Sequence, residues 1–281
     1  MPVFSRQHRM PVPASELFAW HERPGAFERL NPPWDPVRVV ARSGGIRDGD
    51  RATVRVSFAG PIGLDWTLEH RDYIAGRQFR DVQVQGPFAR WEHTHAMAPA
   101  GDNGHDASVL TDTIAFEAPL RWAGGVVVEP LITGMLDRLF AYRHALTAGD
   151  LARHAQVGGP PLRIAITGAT GFVGAALDAF LSTGGHAVHR LVRGRPDPAR
   201  PHADIPWDPA RGTIAAEALE GVDAVIHLAG ASVAERWTPA HRRAILDSRA
   251  QGTALLARTL AGLRAKPRVL VSASAVGWYG D

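Results

Sequence analysis

Cysteine is absent from the 281 residues, which excludes disulfides and thiolate metal sites. No run of about 18 apolar residues occurs either, so no membrane-spanning helix is expected. The opening stretch MPVFSRQHRM lacks the apolar core of a secretory signal. These absences point to the cytoplasm. Lysine is all but missing: Lys266 stands alone among 31 basic side chains, and the rest are arginine. The pI near 9.9 reflects the strong basicity of arginine, while the formal net charge is only +3. The arginines are interspersed with acids and do not cluster with aromatics, so no nucleic-acid partner is expected. What is present is an ordinary globular balance, 45% apolar and 21% charged, in a chain long enough for about two domains.

The two halves follow different patterns. Residues 1–153 read as a helical start, a series of strands and a long helix. RATVRVSF alternates, with Ala52, Val54, Val56 and Phe58 on one side and Thr53, Arg55 and Ser57 on the other. LDWTLEH repeats this with Leu64, Trp66 and Leu68. QFRDVQVQ and ARWEHTHAM continue it across a turn at Gly86-Pro87, and SVLTDTIAFE adds a further strand. Period-two alternation with one polar face predicts an antiparallel sheet open to water on one side. The period then lengthens in EPLITGMLDRLFAYRHALTAGDLARH, where Leu131, Met135, Leu139 and Leu146 mark a stripe expected to face the sheet. HAQVGGPP, residues 154–161, reads as a linker. WHERPGAFERLNPPW, the strands after it and the closing FAYRHALTAGDL resemble the START-like helix-grip superfamily of the polyketide-cyclase type. The resemblance covers about 150 residues and implies an apolar ligand held between the long helix and the sheet.

After the linker the order becomes strand, helix, strand, strand, helix, strand, as in a parallel α/β sheet. In LRIAITGATGFVGAALDAFLSTGGHAVHRLVR, a short apolar strand is followed by Gly168, Gly171 and Gly174. Gly168 allows the tight turn, Gly171 lets a pyrophosphate approach the backbone, and Gly174 lets the helix pack close to the sheet. The free N–H groups at the helix start suit phosphate. The second strand ends in HRLVRGRP without an acid to bind ribose hydroxyls. Arg193 stands there instead and suits a 2′-phosphate, so NADP is expected over NAD. VDAVIHLAG reads as a buried strand ending in small residues, and RWTPAHRRAILDSRAQGTALL as a helix with Thr238 as cap and Pro239 in its first turn.

TGATGFVG, Trp207-Asp208-Pro209, HLAG, Arg236-Trp237-Thr238, Asp247-Ser248-Arg249 and SASAVGWYGD together resemble the extended short-chain dehydrogenase/reductase family, in its nucleoside-diphosphate-sugar-epimerase-like branch. Some members of that branch place the reductase domain after a START-like one. The resemblance covers about 120 residues. With the loop chemistry, it implies cofactor contacts from Gly168, Thr170, Gly171, Phe172, Val173, Gly174, Arg193, Leu228, Ala229, Gly230 and Ser272. It also implies a catalytic serine at the end of the fifth strand, Ser274, with Ser272 as the alternative for that role. The family's acid/base is the tyrosine of a Tyr-x-x-x-Lys unit. Tyr279 has no lysine four residues on and matches a different position of the pattern. Arg249 stands where many members have asparagine, which puts the usual proton relay in doubt. The expected architecture is therefore an α+β helix-grip domain (1–153), a linker (154–161) and an incomplete α/β Rossmann domain (162–281), truncated after its fifth strand. That strand would be an apolar edge through which the chain self-associates.

Trp91, His93 and His95 share one strand face. Two histidines two residues apart can share a metal but need a third ligand, for which His70 is the nearest candidate. Polar lining of the sheet is the reading adopted, and no metal residues are assigned. Trp66, Phe79, Trp91 and Phe116 either line a ligand cavity or fill a core, and the sequence leaves both open. The leading functional reading is an NADP-dependent oxidoreductase or epimerase-like enzyme. Its rival is a non-catalytic protein that holds a lipid or aromatic ligand in the first domain and a dinucleotide in the second. The missing Tyr-x-x-x-Lys unit favours the rival for these residues, and the family resemblance favours the enzyme.

Overall fold

The structure, a computed structural model, describes residues 1–34, 37–59, 62–100, 106–118 and 125–274, with the backbone alone at 57–59, 62 and 125–128. The side chain of Phe58 and the whole of Tyr279 lie outside the described residues. The chain divides into two compact units, Met1–Gly158 and Gly159–Asp281.

The first unit contains β1 (Val3–Met10), α1 (Ala14–Glu22), α2 (Ala26–Leu30), β2 (Arg38–Ser43), β3 (Arg51–Ala59), β4 (Ile62–Ile74), β5 (Gln78–Gln85), β6 (Arg90–Pro99), β7 (Ser108–Glu117) and α3 (Gly125–Val157). The strands form one antiparallel sheet in the order β1-β7-β6-β5-β4-β3-β2. Alternation decides what faces the core: Trp91, His93, His95 and Met97 on β6, and Leu110, Asp112, Ile114 and Phe116 on β7. Two apolar clusters result. One gathers Leu17, Phe18, Trp20, Phe79, Leu110 and Leu151, and the other Phe4, Trp91, Ile114, Phe116, Leu136 and Phe140. Each large apolar side chain fully buried there contributes about 2–3 kcal/mol.

The inward stripe of α3 differs from the expected one. Leu131 and Met135 are exposed (69% and 63%), and Leu136, Phe140, His144, Thr147 and Leu151 are buried instead. That stripe carries two polar residues, so hydrophobicity favoured its neighbour. The linker also begins later than expected. His154–Val157 continue α3 because nothing in them stops a helix. The stop is Gly158, at φ +57, whose N–H bonds to the His154 carbonyl at 2.9 Å. The seven strands described and their covering helix lie before this point. A fragment of residues 1–158 is therefore expected to melt alone in one cooperative transition. A gradual melt would show that its core depends on the second unit.

The second unit contains β8 (Arg163–Thr167), α4 (Phe172–Thr183), β9 (Ala187–Val192), β10 (Ile205–Asp208), β11 (Thr213–Ile214), β12 (Ala224–His227), α5 (Pro239–Gly262) and β13 (Val269–Ser272). The sheet order is β11-β10-β9-β8-β12-β13. All pairs are parallel except the short β10–β11 hairpin. Counting parallel strands from β8 gives 3-2-1-4-5, the doubly wound Rossmann order. Thr238 caps α5 by accepting from the His241 N–H at 3.1 Å, and Pro239 occupies its first turn. Among the described residues β13 is one of the two edge strands of this sheet, with β11 at the other side, and Val269, Leu270 and Val271 are exposed on it.

Candidate functional site

The carboxyl ends of β8, β12 and β13 line up: His227 is in register with Thr167 on one side and Ser272 on the other. The chain leaves β8 through Gly168, at φ +69. A Cβ on Gly168 would lie 2.8–2.9 Å from backbone atoms of Leu228 and Ala229. A Cβ on Gly174 would lie 2.1 Å from the Gly168 carbonyl oxygen. Both glycines are thus required by close approach within the protein. Gly171 differs: its Cβ would meet only the Gly168 oxygen, at 3.2 Å. Its outer side is open, as a site for an approaching group requires. Gly171 caps α4, and among the described residues no side chain caps the helix start. The N–H groups of Phe172 and Val173 therefore belong to an uncapped helix end with its positive dipole. Phe172 is 97% exposed, and Thr170 and Val173 are exposed beside it.

A buried polar chain sets the neighbouring loop. Thr167 Oγ1 accepts from the N–H groups of Leu228 and Ala229, both at 3.1 Å. Its own hydrogen is then directed to His227 Nδ1, 2.6 Å away. The proton of the imidazole is left on Nε2, which donates to Thr253 Oγ1 at 3.1 Å. Burial lowers the His227 pKa and favours this neutral form. One side chain on β8, one on β12 and one on α5 thereby fix the turn that carries Leu228, Ala229 and Gly230. Beyond it, Arg249 Nη1 donates to the carbonyls of Ala231 and Ile245 at 3.2 and 3.1 Å. A Cβ on Gly230 would lie 3.1 Å from the Arg249 guanidinium carbon. Where the family resemblance led to asparagine, this chain uses arginine to hold the loop. Ser272 and Ser274 are exposed at the end of β13.

At the end of β9 the arginines divide. Arg190 forms a two-bond pair with Asp204 at 2.9 and 2.8 Å. Arg200 pairs with Asp178 at 3.0 Å. Arg193, one residue past the strand, is exposed and has no ion-pair partner among the described residues.

A second polar assembly lies inside the first unit, between its two apolar clusters. Asp112 is 1% exposed. It faces His93 Nε2 at 2.7 Å and His144 Nε2 at 2.5 Å. His95 Nδ1 lies 2.7 Å from Asp112 Oδ1, close but off the direction of a hydrogen bond. On β5, Asp81 faces His70 Nδ1 at 2.6 Å, His95 Nε2 at 3.3 Å and His93 Nδ1 at 3.7 Å. Burial and then the charge of His95 push His93 down to about 4. Burial alone would also lower His95, but the negative charge of Asp112 and the contacts to Asp81 outweigh it and raise it to about 9. Asp112 sits well below the usual carboxylate range; burial opposes this, and the charge of His95 with bonds from His144 and His93 prevails. The cavity left beside this assembly is about 10 Å³, bordered by His21, His95, Asp112, Phe140, His144 and Thr147. That is room for one water. Of the four aromatics singled out from the sequence, Phe79, Trp91 and Phe116 are buried core, and Trp66 packs edge-on against Trp91 at 5.0 Å.

Residues 164–281 match the NAD dependent epimerase/dehydratase family, and residues 10–140 match the polyketide cyclase / dehydrase and lipid transport family. The chain carries an epimerase-family domain behind a polyketide-cyclase-type domain. The epimerase-family domain is 38% identical over 119 residues to Epimerase family protein Mb2239 of Mycobacterium bovis, covering 42% of this chain and 38% of that one. It is 35% identical over 119 residues to Epimerase family protein YfhF of Bacillus subtilis, covering 42% and 39%. The crystal structure of the nucleoside-diphosphate sugar epimerase from Corynebacterium glutamicum aligns with 99% of this chain and 55% of its own length, at 32% identity and TM-score 0.75. The chain thus spans about two fifths of the curated relatives it matches. No helix among the described residues is long and apolar enough to cross a membrane.

In the epimerase-family domain the structure brings Gly168, Gly171, Gly174, Leu228, Ala229, Gly230 and Ser272 to one sheet edge. Sequence reading missed Thr167, His227 and Thr253, the chain that holds them. In the polyketide-cyclase-type domain it missed Asp81, Asp112 and His144. Asp112 and His144 sit in phase with buried apolar residues on their elements, and Asp81 is in phase with Phe79, a signal visible in the alternation.

Proposed function

We propose that the chain functions as an NADP-dependent oxidoreductase or epimerase-like protein of the extended short-chain dehydrogenase type. The observation that carries this reading is the glycine loop. Two of its glycines are demanded by contacts inside the protein, while the side of Gly171 is open next to an uncapped helix end. These are the requirements of a pyrophosphate-binding turn. When bound, the nicotinamide ring would accept or deliver hydride. The backbone N–H groups of Phe172, Val173 and Gly174 would hold the pyrophosphate. Leu228, Ala229 and Gly230 would pass under the dinucleotide, and Arg193 would meet the 2′-phosphate. Ser274, or Ser272 beside it, would hydrogen-bond the substrate oxygen. The family description supports a nicotinamide dinucleotide. The choice of NADP is supported by Arg193, exposed and without an ion-pair partner among the described residues, where no acid replaces it.

Tighter binding of NADPH than of NADH is expected, by on the order of ten- to a hundredfold, the worth of a charge-assisted hydrogen bond or two. Fluorescence titration of both reduced cofactors, repeated with Arg193→Ala, tests this. Equal affinities in the unaltered chain would remove the role of Arg193. The polyketide-cyclase-type domain is compatible with an apolar ligand. Among the described residues, the cavity beside Asp112 is about 10 Å³, room for a water and not for such a ligand.

A further inference from the structure

His93 and His95 project from the same face of β6, and Asp81 on β5 is in register with His93. The third partner expected from His70 is therefore supplied by Asp81, with His70 against its other oxygen. His95 Nε2 and His93 Nδ1 lie 3.3 and 3.7 Å from Asp81 Oδ2. Charge-assisted hydrogen bonds between imidazole and carboxylate are shorter, about 2.7–2.9 Å. Two ligands each about 2.1 Å from one ion in tetrahedral geometry stand about 3.4 Å apart. One atom from each of the three residues falls within 4.8 Å of the other two. His95 Nε2 and Asp81 Oδ2 form a long hydrogen bond without an ion, and the three ligand atoms are spaced closely enough to share one.

The opposite nitrogens add a second, independent observation. His93 Nε2 and His95 Nδ1 both lie 2.7 Å from Asp112 Oδ1. Each ring thus turns one nitrogen toward Asp112 and the other toward Asp81. A carboxylate bonded to a ligating histidine, as Asp112 is to His93, is how metal sites fix ring orientation and basicity, and the same oxygen lies against His95. Asp112 is itself held by His144. We propose that Asp81, His93 and His95 bind one divalent first-row transition-metal ion, with Asp112 as the positioning residue behind both histidines. Two nitrogens and one oxygen suit zinc, iron or cobalt over magnesium or calcium, which prefer oxygen alone. Three protein ligands leave a coordination position open, as in sites that bind or activate a small molecule.

The test uses the full chain without a histidine tag, stripped by chelator and titrated with Co²⁺ while visible absorption is recorded. Expected are one Co²⁺ per chain with d–d bands of nitrogen–oxygen ligation, displacement by Zn²⁺, and no competition from excess Mg²⁺. Zn²⁺ should also raise the melting temperature of the unaltered chain. His93→Gln and His95→Gln should each weaken Co²⁺ binding by a hundredfold or more, and Asp112→Asn by about ten- to a hundredfold. His189→Gln with His202→Gln, a histidine pair in the other unit, should change nothing. An unaltered chain that takes up no Co²⁺ and gains no thermal stability from Zn²⁺ overturns the proposal, whether or not the variants fold. So does uptake that survives loss of both His93 and His95, or that follows His189 and His202.

Discussion

Gly171→Val should abolish dinucleotide binding and leave the chain folded. The added Cβ meets one backbone oxygen at 3.2 Å, and the backbone there is extended, φ −78 and ψ 173, which valine adopts readily. The stability cost is that of a poorer helix cap, about 1 kcal/mol. The branched side chain, however, would fill the space through which a pyrophosphate reaches the helix end. Gly174→Ala should do the reverse and act on the fold. Its Cβ would fall 2.1 Å from a backbone oxygen that no side-chain rotation can move. Overpacking of this kind costs about 3 kcal/mol or more. Parallel thermal melts and NADPH titrations separate the two variants. A Gly171→Val chain that still binds NADPH would remove the phosphate-loop reading, because nothing else at that position would hold off a ligand.

Asp112→Ala should destabilise the first unit by about 3–5 kcal/mol, the usual cost of removing one partner from a buried charge assembly. Its carboxylate accepts from His93 and His144 and lies against His95, all three rings buried. Truncation leaves these nitrogens facing an apolar void, and His95, raised to about 9, would carry a charge without its main counterion. Urea unfolding of the metal-free chain, followed by far-ultraviolet circular dichroism, measures the loss. A change below about 1 kcal/mol would mean that water reaches the assembly and replaces the carboxylate. The second unit should keep its own transition, since Asp112 lies wholly within the first.

Much of the architecture was legible because it is written in local patterns. Period-two alternation exposed the sheet, and the spacing of Gly168, Gly171 and Gly174 exposed the turn. What escaped depends on contacts between distant segments. The inward stripe of α3 includes His144 and Thr147, which look like solvent-facing residues until Asp112 is placed opposite. Asp112 belongs to the series Leu110, Asp112, Ile114, Phe116, all inward on β7. An acid in phase with three large apolar residues was a visible anomaly, and only a partner on another element explains it. Asp81 on β5 follows the same logic, two residues from Phe79. The role of His227 was hidden for another reason. A histidine at the end of an apolar strand carries no pattern of its own, and Thr253 lies 26 residues away on α5.

The Thr167–His227–Thr253 chain bears on how fast a ligand can be captured. A loop that must be ordered on contact slows capture, because many encounters end before the right conformation forms. Here the backbone at Leu228 and Ala229 is already bonded to Thr167, and the glycine turn is already wedged against it. Little conformational freedom remains to be lost at the moment of contact. On the proposed function, arrival of a dinucleotide would be governed by diffusion and by the charge of Arg193. Discrimination between two dinucleotides that differ by a single phosphate would then fall mainly to the lifetime of the complex.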